Sequence, residues 1–115
     1  MEIIADLHLH SKYSRAVSQQ MTLPVMTQFA KKKGLGLLTT GDWTHPLWLR
    51  EIKQNLEEDE KGIYKLKSGT KDDPKFILSV EVSSIYSQGG KTRRIHNLLF
   101  APSIEVAEKF NKELV

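Results

Sequence analysis

Short, continuous apolar runs separated by stretches of helical periodicity constrain this chain most. Ile3, Ile4 and Ala5 stand together, residues 35–40 read "LGLLTT", residues 76–82 read "FILSVEV", and residues 95–101 read "IHNLLFA". Runs this short and unbroken suit strands covered on both faces, the habit of parallel sheets, with the first strand over residues 2–7. Between them, Thr22 can cap a helix with Pro24 in its first turn, and Leu23, Met26, Phe29 and Ala30 recur at helical spacing. Lys31, Lys32 and Lys33 make a basic last turn before a stop at Gly34. Pro46 opens a second helix with Leu49, Ile52 and Leu56 inward, ending in the solvated acidic stretch "EEDEKG" at residues 57–62. Pro102 and Ser103 open a third, with Val106, Ala107, Phe110 and Leu114 inward. Residues 11–21, 41–45, 69–74 and 87–92 read as loops or turns. The order strand, helix, strand, helix, strand, strand, helix predicts an α/β domain with a mostly parallel sheet.

The 115 residues suffice for one small domain, and none of them is cysteine. Disulfides and thiolate metal sites are thereby excluded, so any metal must sit on His, Asp or Glu. No apolar run approaches the ~20 residues of a membrane span. Glu2 and the lack of a basic leader argue against a signal peptide, so the expected location is cytoplasmic. A net charge of +3 permits a phosphate-rich partner without requiring one.

The residues able to carry chemistry gather where parallel sheets place their sites, at the carboxyl ends of strands. His8 and His10 follow the first strand, Asp42 and His45 the second, Glu81 lies near the end of the third, and His96 lies on the fourth. Side chains alternate along extended backbone, so His8 and His10 point the same way and can grip one ion from one edge. Asp6 falls on that face too, as a further ligand or as an acceptor for an imidazole N–H.

Each feature also has a plainer explanation. Asp42 and His45 also fit a turn and cap before Pro46, and His96 also fits a hydrogen-bonded strand histidine. Glu81 is harder to set aside, because an unpaired buried carboxylate costs several kcal/mol. A salt bridge to Arg93 or Arg94 is its structural alternative. Lys31 to Lys33 fit a solvated helix end, "GKTRR" at residues 90–94 a basic hairpin turn, and Trp43 and Trp48 packing. What lifts the set above its parts is that four strand-associated positions converge on one end of one sheet.

In order, "DLHLHS", "TTGDWTH", "SVEVS" and "RIHNLLF" resemble the polymerase and histidinol phosphatase (PHP) superfamily. Within it, "HSKYSRAVSQQMTLP", "KGLGLLTTGDWTHPLW" and "TRRIHNLLF" are most similar to the endonuclease Q family of DNA-repair enzymes. The resemblance implies a distorted, TIM-like (β/α)7 barrel, of which residues 1–115 would be the N-terminal half. It implies metal ligation by His8, His10, His45, Glu81 and His96, with Glu81 bridging two ions and Asp6 and Asp42 supporting the ligands from behind. Glu81 and His45 become the candidate catalytic residues. Zinc is the expected ion for so many imidazoles, manganese the alternative, two or three ions in the complete domain. Many members place an acid or histidine shortly after the first pair; here Lys12, Tyr13, Ser14, Arg15 and Ala16 stand there.

The implied activity is metal-dependent cleavage of DNA on the 5′ side of a deaminated base, with Arg15, Lys91, Arg93 and Arg94 as candidate phosphate contacts. A small-molecule phosphatase of histidinol-phosphatase type, or a degenerate metal-binding PHP scaffold, are the alternatives. The superfamily's later ligands do not appear in these residues, and a closed barrel takes about 250 residues. The chain alone is therefore expected to be inactive and to self-associate through open sheet edges.

Overall fold

A computed structural model describes residues 3–13 and 21–114. The elements run β1 (Ala5–Asp6), α1 (Leu23–Lys33), β2 (Leu37–Thr39), α2 (Pro46–Asn55), β3 (Leu56–Glu60), β4 (Ile63–Leu66), β5 (Lys75–Gln88), β6 (Lys91–Ala101) and α3 (Ile104–Glu113). The helix signals act as the sequence suggests. The Thr22 side chain accepts from the Val25 N–H, and Gly34 closes α1 at φ 73°, a left-handed conformation that glycine adopts without steric cost. Ser103 caps α3 by accepting from Val106 N–H.

The sheet is mixed, which corrects the expectation of a mostly parallel one. Its order is β1-β2-β5-β4-β3, with β6 also on β5. β1–β2 and β2–β5 are parallel, whereas β3–β4, β4–β5 and β5–β6 are antiparallel. The reason lies in the acidic stretch. Instead of trailing from α2 in solvent, Leu56–Glu60 forms an edge strand and turns through Lys61 and Gly62 into β4. Leu56, Tyr64 and Leu66 bury against the core, and Glu57 faces Lys65 across the pair. Asp59 reaches Lys75 on β5 at 3.2 Å. Charge along an edge strand also discourages pairing with other chains.

A second expectation fails at the first strand. β1 covers two residues, and Ile3 and Ile4 are 65% and 60% exposed rather than covered on both faces. β1 lies at the end of the strand order, with β2 as its neighbour and no strand on its other side among the described residues.

One core joins α1 (Leu23, Met26, Ala30), α2 (Trp48, Leu49, Ile52), α3 (Ala107) and the strands (Leu38, Leu56, Tyr64, Phe76, Leu78, Val80, Ala101). Trp48 is fully buried, and its indole N–H donates to the carbonyls of Thr40 and Gly41 at 3.1 and 2.9 Å. That bond fixes the start of α2 under the loop that follows β2. Among the described residues no helix is long and apolar enough to cross a membrane.

Candidate metal centre

The loop after β2 is shaped to meet the loop after β1. Gly41 has φ 66°, and a Cβ there would collide with the Leu9 carbonyl, so only glycine lets the two backbones pass. Asp42 follows at φ 50°, the non-glycine residue with positive φ among those described. Aspartate tolerates this region better than most side chains, and such conformations concentrate at functional sites. The turn aims the Asp42 carboxylate at the first loop. One oxygen accepts from the Ser11 N–H and hydroxyl, both at 2.7 Å, and the other lies 3.3 Å from His10 Nδ1. His10 is thereby held by one nitrogen, and its Nε2 stands 3.7 Å from Glu81.

Glu81 sits on β5 directly after the buried Val80. One carboxylate oxygen contacts His8 Nε2, and the other lies 3.0 Å from His96 Nδ1. His96 also lies 2.9 Å from the Ser83 hydroxyl, its direct partner across the β5–β6 pair. The His8 imidazole beside it holds the Glu81 carboxyl below the usual carboxylate range. Among the described residues, Glu81 makes no ion pair with Arg93 or Arg94; its charged neighbours are imidazoles.

Ligand atoms of His8, His10 and Glu81 lie within 4.8 Å of one another. Two imidazoles and a carboxylate at this separation suit a divalent ion of the zinc or manganese type. His45 comes to the same place by another route. It lines a cleft of about 460 Å³ with His10, Tyr13, Asp42, Thr44 and Glu81. It occupies the cap position of α2, yet its side chain caps nothing. Its ring stacks on Tyr13 at 4.1 Å, and its Nδ1 is buried without a protein partner. A buried imidazole nitrogen lacking a partner is the kind of atom a ligand satisfies.

The remaining candidates are dispersed. Asp6 accepts from the backbone N–H of His8 at 3.2 Å rather than from an imidazole. Lys91, Arg93 and Arg94 lie on β6, but register separates them. Arg94 pairs with Ile85 and so shares the ribbon face of His96 and Glu81, while Arg93 and Lys91 pair with Tyr86 and Gln88 on the other face. Arg15 lies outside the described residues.

Three supporting residues escaped the reading of the sequence. Ser11 anchors Asp42. Tyr13 stacks on His45 and donates its hydroxyl to Glu51 of α2 at 2.9 Å. Lys12 binds the other Glu51 oxygen at 3.1 Å. Glu51 raises the pKa of both Tyr13 and Lys12 through these bonds. The departure at Lys12 and Tyr13 was the available signal; nothing in the sequence singles out Glu51.

Half a barrel's worth of strands with histidines and a carboxylate at one end defines the class: an α/β domain with a candidate metal centre. No family model matches the chain. The lesion-specific endonuclease PfuEndoQ from Pyrococcus furiosus is similar in structure, with a TM-score of 0.76 and 32% identity over 96% of this chain and 25% of that one. An endonuclease Q in complex with a 27-mer duplex substrate, an abasic lesion at its active site, matches at 0.75 and 35% over 95% and 25%. An uncharacterized protein of Methanocaldococcus jannaschii is 33% identical over 95% of this chain. The chain spans 12% of that protein's length and a quarter of the two endonucleases.

Proposed function

We propose that residues 1–115 form the N-terminal portion of a PHP-type, metal-dependent phosphodiesterase, a DNA-repair endonuclease of the endonuclease Q kind that cuts on the 5′ side of a deaminated base. The observation that carries this reading is the meeting of His8, His10, Glu81 and His96, from β1's loop, β5 and β6, beside a cleft lined by His45. The overall likeness to a lesion-specific endonuclease supports it.

His8, His10, His45, Glu81 and His96 would hold the ions, zinc first and manganese as the alternative. Metal bound there would supply an activated water and charge stabilisation for the departing oxygen of an in-line displacement. Glu81 presents its two oxygens to different imidazoles, the disposition a bridging carboxylate needs. Asp42 fixes the His10 ring by its Nδ1 and leaves the other nitrogen toward the cleft. Tyr13 covers one face of His45 and limits its rotation. Arg94 shares the His96 face of the ribbon and would meet a phosphate entering from that side.

The test is elemental analysis of the full-length protein followed by incision assays on duplexes containing uracil or hypoxanthine. Two or three zinc or manganese ions per chain with incision 5′ of the base are expected. Phosphomonoester hydrolysis without incision would replace this reading with a small-molecule phosphatase. Bound metal without either activity would favour the scaffold.

A further inference from the structure

We propose that the β5–β6 ribbon beyond Glu81 is an arm that lies in the major groove of duplex DNA beside the cleft; this rests on the reading of the chain as a DNA endonuclease. The first support is charge. Residues 83–97 contain Lys91, Arg93 and Arg94 and no acidic residue. Of the chain's 17 lysines and arginines these three stand on the ribbon, and the 14 elsewhere are matched by its 14 acidic residues. The whole net charge of +3 is therefore the charge of this arm.

The second support is how the register distributes it. Arg94 projects from one face, Lys91 and Arg93 from the other, and all three are exposed. Packing either face on protein would cover a cation, and the ribbon holds no acid to neutralise it. An occupant that is anionic along its length and meets both faces removes that conflict. Duplex DNA offers this, because both walls of a groove are lined with phosphates.

The third support is shape. The major groove, about 12 Å wide, admits a two-stranded ribbon. The tip is Gly89–Gly90 at φ 58° and 77°, and a Cβ on either would meet nothing within 4 Å. It is thus a narrow end with no side chain to obstruct entry. From Ser83 to Gln88 the arm reaches roughly 20 Å, which is about six base pairs at 3.4 Å each. Tyr86, Ile85 and Ile95 are exposed along it and offer apolar contact to base edges such as the thymine methyl. The ribbon begins at the residues around Glu81, so a strand held by the arm would run on toward the cleft.

The test uses the full-length protein and a duplex with an abasic site, with binding followed by fluorescence anisotropy from 50 to 300 mM salt. The variant replaces Lys91, Arg93 and Arg94 together by Gln. If all three meet phosphates, the slope of log affinity against log salt becomes shallower by roughly 2.7, at about 0.9 per contact. Binding at the lowest salt should weaken at least tenfold, with the melting temperature unchanged. An unchanged slope and affinity overturns the proposal. So does a lowered melting temperature with binding intact, which would mean that the arm packs on protein. The parent reading fails separately: Glu81→Gln should abolish incision while keeping the wild-type salt slope. A wild type that incises DNA alongside a triple variant that binds normally would sink the arm alone.

Discussion

β5 is one strand with two lives. Near its start Phe76, Leu78 and Val80 are 0%, 0% and 3% exposed; Phe76 lies between Leu38 of β2 and Tyr64 of β4, and Leu78 and Val80 pair with Ala101 and Leu99 of β6 inside the core. The β6 ladder that begins at Leu78 carries on past Val82 with no other strand beside it among the described residues, and Ile85 is 63% exposed. The projecting half explains a radius of gyration of 15.2 Å, where a compact chain of this length gives about 13 Å. Glu81 stands at the junction. Its backbone is anchored by the packed half, and its carboxylate is one-fifth exposed among three imidazoles. A fixed, largely desolvated carboxylate suits a metal site. The packed half supplies rigidity, and the projecting half supplies reach and charge.

The sharpest way to break this comparison is to truncate one side chain in each half. Phe76→Ala should cost about 3–5 kcal/mol, because a fully buried ring leaves a cavity that the core cannot close. Ile85→Ala should stay within about 0.5 kcal/mol, as exposed substitutions do. Denaturant titration of both variants measures the contrast. Similar losses would mean that the arm is part of the cooperative core. Amide exchange should follow the same division, with residues 84–95 opening at lower free energy than residues 76–80.

The junction should respond in function rather than fold. In the full-length protein, under the proposed function, Glu81→Gln keeps the volume and removes the charge, so it should reduce incision by more than 100-fold while leaving the unfolding midpoint nearly unchanged. That exceeds the 10–100-fold typical of residues that only orient ligands. His8→Ala and His10→Ala should each lower metal occupancy, and normal occupancy in both would exclude that pair. Asp42→Asn belongs in the lower range, weakening metal binding about 10–100-fold by freeing the His10 ring. Full affinity in Asp42→Asn would show that His10 is held by its packing alone.

How much of this was legible beforehand follows the same division. The helices announced themselves through Thr22, Pro24, Gly34 and Ser103, whose roles are local and set by backbone chemistry. The candidate site residues drew notice because histidine and glutamate beside apolar runs demand a reason. The β3–β4 hairpin was missed because "EEDE" is poor strand sequence and its strand state depends on the tertiary partners Lys65 and Lys75. The signal lay one step on, in the alternation of Tyr64 and Leu66. Ile3 and Ile4 misled in the opposite direction, since hydrophobicity states a demand for burial and not where the cover comes from. The split of Lys91 and Arg93 from Arg94 needed the register, which no composition reveals.

The smallest effect tests the start of the packed half. There the loop before β5 is tied to the last turn of α1: Asp73 meets Lys31 at 2.7 Å and accepts from the Thr70 N–H at 3.1 Å. The Lys31 ammonium, then the Thr70 N–H, hold its carboxyl below the ordinary value of 3.8. A depressed carboxylate stabilises the fold at pH above its unfolded value and loses that contribution as pH falls through the folded one. Asp73→Asn should therefore cost about 0.2–1 kcal/mol at pH 7, the range of partly exposed pairs. The gap between wild type and variant should narrow below about pH 4 and close once both states are protonated. Urea unfolding of the two proteins from pH 7 to pH 2 reads it directly. A gap that stays constant to pH 2 would assign the loss to hydrogen bonding of the loop rather than to charge. The three cations of the arm have no acidic partner among the described residues, so the triple Gln variant should show no such pH-dependent gap in stability.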